Sequence, residues 1–262
     1  MPLSVDAYKP AEIAKLVESA GIAKANLPFL QTVTLGVLAG AFIAFGAMFY
    51  TMTITGSEMG FGPTRLIGGL TFSLGLVLVI IAGAELFTGN NMIVLAWADG
   101  KITLAKLLRN WGLVFFSNFI GAVATAWFVH LSGILSFDEG AVGETAIAIA
   151  HSKVQLDMGT AFIRGLLCNA LVCMAVWLCC AAHEVAGKIL AIIFPISAFV
   201  ALGFEHSIAN MYLIPLVMFH GGAEITITDF VMNLLPVTAG NIVGGSVFVA
   251  LVYYISYIRH SE

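Results

Sequence analysis

The chain has 262 residues, of which 60% are hydrophobic and only 10% are charged, and its formal net charge is −4. Soluble domains usually carry about a quarter charged residues. The composition therefore excludes an ordinary soluble domain and indicates an integral membrane protein. The chain has no basic run, which argues against nucleic acid as a partner.

The first predicted element is a helix that begins near Pro10, because proline suits the first helical turn, and runs to about Lys24. Its apolar face is formed by Ile13, Leu16, Val17 and Ala20. We interpret residues 1–27 as a cytoplasmic amphipathic segment that either lies on the membrane surface or covers an inner vestibule. The segment lacks a basic stretch followed by an apolar core, so we expect no cleavable signal peptide.

Six membrane spans are predicted in residues 28–262, which we expect to form one transmembrane domain. A span needs about 20 apolar residues. Four stretches lack Asp, Glu, Lys and Arg, namely 25–57, 110–137, 165–183 and 230–258. Two further stretches, 66–98 and 189–223, are each interrupted once, by Glu85 and by Glu205. The second and fifth spans are therefore predicted to be broken near their middles.

The distribution of lysine and arginine predicts the orientation of the spans. With six spans, one side of the membrane receives Lys9, Lys15, Lys24, Lys101, Lys106, Arg109, Lys188 and Arg259. The other side receives Arg65, Lys153 and Arg164. The side richer in these residues is normally cytoplasmic, so we expect both termini in the cytoplasm and a multi-pass protein of the cytoplasmic membrane.

An internal repeat relates the two halves of the chain. The segment ITLAKLLRNWGLVFFSNFIG at 102–121 matches ITITDFVMNLLPVTAGNIVG at 225–244 with one constant offset of 123. The matched residues include Ile102, Thr103, Asn110, Asn118 and Gly121, which align with Ile225, Thr226, Asn233, Asn241 and Gly244. The repeats cover about 28–133 and 155–259. Each half holds three spans, so the halves must be inverted, and inverted repeats with interrupted helices typically place a transport site near the membrane midplane.

The two predicted breaks contain similar segments, ELFTGNNM at 85–92 and EHSIANM at 205–211. Irregular backbone at membrane depth must be buried in protein or line a cavity. We expect Glu85 and Glu205 to accept hydrogen bonds from the freed backbone N–H groups, in preference to binding an ion. Asn91 and Asn210 are expected to support the same loops.

His206 is the histidine at a predicted midplane, and ionisable groups there are functional hypotheses by default. Thr88 occupies the matching break, and the proposed symmetry would bring its hydroxyl to the same axis as His206. Asn169 lies within the fourth span. The alternative is a buried structural histidine that is hydrogen-bonded to a neighbour.

The four cysteines lie in one apolar segment without metal-type spacing, and we expect neither a metal nor a cofactor.

Several motifs together resemble the formate–nitrite transporter family. They are GGLTFSLGLVLVIIAGAELFTGNNM (68–92), LLRNWGLVFFSNFIGAV (107–123), LCNALVCMAVW (167–177), GFEHSIANM (203–211) and LLPVTAGNIVGG (234–245). The resemblance implies an all-α, aquaporin-like protomer of six spans, assembled as a homopentamer with one pore per protomer. It also implies passage of a small monovalent anion, namely formate, nitrite or hydrosulfide.

The resemblance assigns roles to individual side chains. It implies an apolar constriction formed by Phe72, Leu76 and Phe199, and a second constriction formed by Leu86 and Val172. It also implies polar pore residues, namely Thr88, Asn169 and His206, and an outer-vestibule lysine, Lys153, that attracts anions. Two departures, a short loop at FHGGAEITITD and ELFTGNN in place of an LFTS form, leave the substrate open.

The sequence thus predicts passive or proton-coupled transport of a small anion, with formate as the first choice. We expect His206 to exchange a proton with the anion, so that the neutral acid crosses the second constriction at lower cost. A channel for ammonia or a neutral gas is the alternative from another class. An intramembrane enzyme is disfavoured because His206 and Ser207 are adjacent and would not face each other on a helix.

Overall fold

The computed structural model describes residues 7–222 and 224–259, and within them the backbone is overwhelmingly helical. In chain order the helices are α1 (Pro10–Ala25), α2 (Phe29–Ile54), α3 (Phe61–Gly83), α4 (Phe87–Asn90), α5 (Val94–Ala98), α6 (Leu104–Leu131), α7 (Ala141–Val154), α8 (Met158–Ala181), α9 (Val185–Ala201), α10 (Ser207–His220) and α11 (Ile227–Tyr257). The all-α class is confirmed. The predicted N-terminal unit and transmembrane domain each extend into terminal residues outside the described ranges.

Among the described residues, five helices are long and apolar enough to cross a membrane, namely α2, α3, α6, α8 and α11. The shorter apolar helices α9 and α10 are separated by residues 202–206. Helices α3 and α11 each contain a π-helical segment, at Leu78–Gly83 and Ser246–Leu251. Such segments often mark functional positions, and the first of them leads directly into the predicted break after α3.

The two long helix pairs α2–α6 and α8–α11 approach closely at glycines. A Cβ atom on Gly121 would lie 2.0 Å from the carbonyl oxygen of Val37, and one on Gly240 would lie 2.1 Å from that of Phe162. Side chains larger than hydrogen are therefore excluded at both crossings. Helices in membranes associate through this kind of small-residue contact because lipid supplies no hydrophobic driving force between them.

Helix α1 packs on the protein through a face that differs from the predicted one. Ile13 and Val17 are buried as expected, whereas Leu16 and Ala20 are exposed. Gly21 completes the buried face, and a Cβ atom there would lie 3.3 Å from the Cβ of Ala96. The prediction of the apolar face was therefore partly wrong, because α1 packs closely on protein, where small residues such as Ala14 and Gly21 form part of the buried face.

Both predicted breaks are present, and each contains a glycine in the left-handed region. Gly83 has φ +86° and Gly203 has φ +72°, a conformation that other residues adopt only at a cost. The chain then runs extended through Leu86 and His206, which are the N-cap residues of α4 and α10. The two breaks thus redirect the chain in the same way in each half.

Candidate functional site

Two asparagines, and not the two glutamates, hold the freed backbone at the breaks. In the first half, Asn118 Oδ1 accepts from the Phe87 N–H at 2.9 Å, and its Nδ2 donates to the carbonyl oxygens of Gly36 and Glu85 at 2.7 and 2.8 Å. The prediction that Glu85 and Glu205 accept from backbone N–H groups is wrong. An amide suits this task better because it both donates and accepts, whereas a carboxylate only accepts.

The second half repeats the arrangement around Asn241. Its Oδ1 accepts from the Ser207 N–H at 2.9 Å, and its Nδ2 donates to the carbonyl oxygens of Gly165 and Glu205 at 2.8 and 3.0 Å. Asn118 and Asn241 are equivalent positions of the sequence repeat. The duplicated sequence therefore produces duplicated hydrogen bonds at the two breaks.

The carboxylates of Glu205 and Glu85 instead bind side chains. Glu205 accepts from Lys153 Nζ at 2.9 Å and from Asn210 Nδ2 at 2.7 Å. Glu85 accepts from Lys24 Nζ and from Asn90 Nδ2, the latter at 2.7 Å. Both carboxylates are almost completely buried. Each buried negative charge is therefore compensated by one ammonium group and one amide, as burial of a charge requires.

A further asparagine in each half joins this network to the lysine backbone. Asn110 Nδ2 donates to the carbonyl oxygen of Lys24 at 3.1 Å, and Asn233 Nδ2 donates to that of Lys153 at 2.8 Å. Lys24 lies in the last turn of α1, and Lys153 lies in the last turn of α7. The equivalence of the halves thus extends upstream of residues 28 and 155, where the sequence prediction began the two repeats.

Thr88 and His206 meet in the interior, as the proposed symmetry predicted. Thr88 Oγ1 lies 3.0 Å from His206 Nε2, and both side chains are buried. His206 Nδ1 accepts from the backbone N–H of Ala209 at 3.1 Å, which caps α10. A nitrogen that accepts carries no proton, so the ring is the neutral tautomer with its proton on Nε2. His206 therefore donates to Thr88, and the Thr88 hydroxyl hydrogen is left for another acceptor.

Asn169 and Asn91 form the buried support of this pair. Asn169 Nδ2 donates to the carbonyl oxygen of Thr88 at 3.2 Å, to Asn91 Oδ1 at 2.8 Å and to the carbonyl oxygen of Asn241 at 2.7 Å. Asn91 Nδ2 donates to the carbonyl oxygen of Phe87. These contacts of Asn169 hold the backbone of both breaks, and the pore role that the resemblance implies for it stays a prediction.

A cavity of about 400 Å³ lies on the Lys153 side of the Thr88–His206 pair. At its inner end His206 lies beneath Phe199, with the two rings stacked at a centroid distance of 5.9 Å. Phe199 in turn contacts Phe72 edge to face at 5.5 Å. Phe72, Phe199 and His206 thus line the same part of this cavity. Lys153 and Glu205 also line this cavity.

A second cavity of about 60 Å³ lies on the side of Lys24. Its walls include Leu76 and Leu86. Leu76 thus lines a different cavity from Phe72 and Phe199. The constriction that the resemblance implies for these three residues stays a prediction. Val172 is 1% exposed and belongs to the main hydrophobic core.

Several site residues were not singled out from the sequence, namely Lys24, Asn90, Asn110, Asn118, Asn233 and Asn241. The signal that could have found them is the repeat itself, since Asn110, Asn118, Asn233 and Asn241 are four of its matched residues. Within the described part of the chain, no group of three His, Cys, Asp or Glu side chains is placed to hold a metal ion.

Comparison with known proteins places the chain in a family. The family model described as Formate/nitrite transporter matches residues 11–255. The "Uncharacterized transporter YrhG" of Bacillus subtilis (strain 168) is 44% identical over 252 residues, covering 95% of this chain and 93% of that protein. The "Formate channel FocA" of Escherichia coli (strain K12) is 37% identical over 276 aligned positions, covering 98% and 97%.

A solved structure titled "Pentameric formate channel with formate bound" has the same fold. It is 38% identical in sequence, superposes with a TM-score of 0.81, and is matched over 88% of this chain and 98% of its own. The chain therefore belongs to the formate/nitrite transporter family.

Proposed function

We propose that the protein conducts formate across the cytoplasmic membrane, as a homopentamer with one pore in each protomer. Relatives named as formate channels are similar along nearly the whole chain, and a similar solved structure is titled as pentameric with formate bound. The protomer is an aquaporin-like bundle of six spans in two inverted repeats, in which α9 and α10 together make the broken fifth span. Both termini are cytoplasmic, so the small cavity at Lys24 faces the cytoplasm.

The observation that carries this proposal is the buried hydrogen bond between Thr88 and His206. His206 lines the large cavity, and the neighbours of Thr88 in the chain, Leu86 and Gly89, line the small one. Phe72 and Phe199 form the apolar constriction on the outer side, and Leu76 and Leu86 form the apolar constriction on the inner side. Moving an isolated carboxylate into a low-dielectric medium costs of order 20 kcal/mol by the Born estimate. The hydroxyl of Thr88 supplies a donor where this cost is greatest.

The tautomer of His206 defines what a proton-coupled step requires. A neutral imidazole that has one proton, on Nε2, donates a hydrogen bond but cannot give that proton to formate, since it would become an anion itself. Protonation must occur at Nδ1, which first has to release the Ala209 N–H. Proton-coupled flux thus requires the hydrogen bond between the Ala209 N–H and His206 to break, whereas conduction of the anion leaves that hydrogen bond intact.

Lys153 and Lys24 serve as short-range hydrogen-bond donors, one on each side of the two constrictions. Lys153 and Lys24 each use one ammonium N–H on a glutamate, which leaves donors for a passing anion. Because each ammonium is neutralised by its glutamate, its attraction at long range is weaker than the sequence prediction for Lys153 assumed. Lys24 is the inner counterpart that the sequence prediction lacked.

Uptake into liposomes tests the proposed substrate. Purified protein is reconstituted, and uptake of labelled formate, nitrite, hydrosulfide and ammonia is measured side by side, with empty liposomes as the control. We expect formate to be taken up fastest among the four. Faster flux of nitrite or hydrosulfide would identify one of these as the substrate, and selective passage of ammonia would overturn the assignment to anions.

A further inference from the structure

The large cavity carries more positive than negative charge, and Lys153 does not account for the excess. Its lining contains three cationic residues, Arg65, Lys153 and Arg164, and one carboxylate, Glu205. Lys153 is paired with Glu205. Among the described residues the salt bridges are made by lysines, and neither arginine takes part in one. The two guanidinium groups are therefore the uncompensated positive charges of this cavity.

Arg65 is held in place by contacts that leave most of its donors free. Its Nε donates to the carbonyl oxygen of Ala201 at 2.9 Å, and its guanidinium lies over the ring of Phe61 at 5.6 Å from the centroid. A Cβ atom on Gly203 would lie 2.7 Å from Arg65 Nη2. Gly203 is favoured by its positive φ, and a larger side chain there would displace the end of the Arg65 side chain.

Arg164 approaches the same turn from α8. Its Nη1 lies 3.5 Å from the carbonyl oxygen of Gly203. Both arginines are half-buried, so their charges are screened less than those of fully exposed side chains. A guanidinium has five N–H donors in a planar fork that fits a carboxylate with two parallel bonds. Each arginine makes one hydrogen bond to backbone at or beside the turn, and both side chains line the cavity.

We propose that Arg65 and Arg164 form an outer anion site, which holds a small carboxylate or oxyanion before it passes Phe72 and Phe199. This inference rests on the proposed function, because it names where the conducted anion first binds. It also predicts that the two sides of the membrane differ in how they attract the anion. The described lining of the small cavity contains one cation, Lys24, and Glu85 neutralises it. Recruitment by uncompensated charge therefore operates from the outer side.

The kinetic test uses right-side-out membrane vesicles and initial rates of labelled formate uptake at low ionic strength. R65Q and R164Q should each raise the apparent KM for external formate about two- to five-fold and leave the maximal rate nearly unchanged. R65K keeps the charge and should retain most of the affinity. R109Q, on the cytoplasmic side, is the matched arginine control and should behave as wild type.

Two further comparisons sharpen the kinetic test. At about 1 M salt, where the Debye length is about 3 Å, the variants and wild type should converge. Efflux driven from the Lys24 side should be much less sensitive to both substitutions. Equal KM values in wild type, R65Q and R164Q at low ionic strength, or an equal effect from R109Q, would refute the outer site while leaving formate transport intact.

A readout independent of transport separates the inference from the proposed function. Wild-type protein is labelled with phenylglyoxal, which modifies accessible arginines, and labelling of each arginine is measured by peptide mass spectrometry. Formate at constant ionic strength should slow labelling of Arg65 and Arg164 but not of Arg109. Protection without formate flux would support the site and refute the formate channel. Flux without protection would do the reverse.

Discussion

At the scale of single residues, the pairing of Lys153 with Glu205 changes the expected effect of removing the lysine. Lys153→Ala leaves Glu205 buried and uncompensated, at a cost of about 3–5 kcal/mol when neither partner relaxes, and its negative charge then opposes anion entry. We therefore expect Lys153→Ala to lower both pentamer yield and formate flux strongly. The double variant Lys153→Ala with Glu205→Gln should recover much of both, because no unpaired charge remains.

The measurement is uptake per assembled pentamer, with size-exclusion chromatography reporting the yield. Lys153→Arg serves as the control that keeps the ion pair. If the double variant is as impaired as Lys153→Ala alone, the lysine contributes to conduction directly and the explanation by charge compensation fails.

His206 gives the second prediction at this scale. Asparagine can cap α10 through its oxygen and still donate through its nitrogen, but it has no proton to exchange between about pH 5 and pH 8. We expect His206→Asn to retain an anion current at neutral pH and to lose the acceleration of formate uptake in acid. Current and labelled uptake are measured on one preparation at about pH 5 and about pH 7.5. If current and uptake depend on pH in the variant as they do in the wild type, His206 has only a structural role.

At the scale of elements, the docking of α1 is predicted to depend on pH through Glu18. Burial, followed by a hydrogen bond and the negative charge of Asp99, raises the pKa of Glu18 from 4.5 to about 7, against smaller opposing effects of Lys101 and Lys15. Since the docked helix binds the proton more tightly than a free helix, protonation favours docking. Docking is strongest below the unperturbed pKa and weakens as the pH rises through about 7.

Hydrogen exchange of the α1 amides tests this dependence, after correction for the intrinsic effect of pH on exchange. Protection should be greater at about pH 6 than at about pH 8. Glu18→Gln removes the titrating group and should make protection nearly independent of pH over this range. Glu12→Gln, on an exposed position of the same helix, is the control. A pH response that survives in Glu18→Gln would assign the effect to another group.

The caps of the long helices show how far the repeat governs individual elements. Thr103 accepts from the Lys106 N–H at the start of α6, and Thr226 accepts from the Asp229 N–H at the start of α11. Both threonines belong to the matched positions of the sequence repeat. The repeat therefore determined where these helices begin, because capping depends on residues within one turn.

At the scale of the whole molecule, the two halves are predicted to depend equally on their asparagine clamps. Asn118 and Asn241 each make three hydrogen bonds to buried backbone. Replacing either by leucine leaves these groups without partners, at about 1–3 kcal/mol for each unsatisfied group. We expect Asn118→Leu and Asn241→Leu to lower the melting temperature of the detergent-solubilised protein to a similar extent.

Asn26→Leu, which removes an amide from the exposed connection after α1, should change the melting temperature little. A large loss for one clamp and none for the other would show that only one break needs this support. Glu205→Gln keeps one acceptor oxygen in place of the two that receive hydrogen bonds from Lys153 and Asn210. It therefore leaves one donor without an acceptor, against three backbone groups in either clamp substitution, and should be milder.

The sequence by itself determined the membrane class, the all-α fold, the positions of the two breaks and the pairing of Thr88 with His206. These features depend on composition, on local backbone preference at Gly83 and Gly203, and on a repeat that can be read along the chain. Each is either local or duplicated, so no knowledge of distant contacts was needed to predict it.

Only the tertiary structure decided which side chains partner the breaks. Asn118 reaches back 82 residues to Gly36, and Lys24 reaches 61 residues to Glu85. The local sequence around a glutamate beside a break is the same whether its carboxylate binds backbone or an ammonium group. The sequence alone also does not give the distance between α1 and that break. Packing of α1 and α7 against the broken spans settled the choice, because it brings one lysine to each buried glutamate.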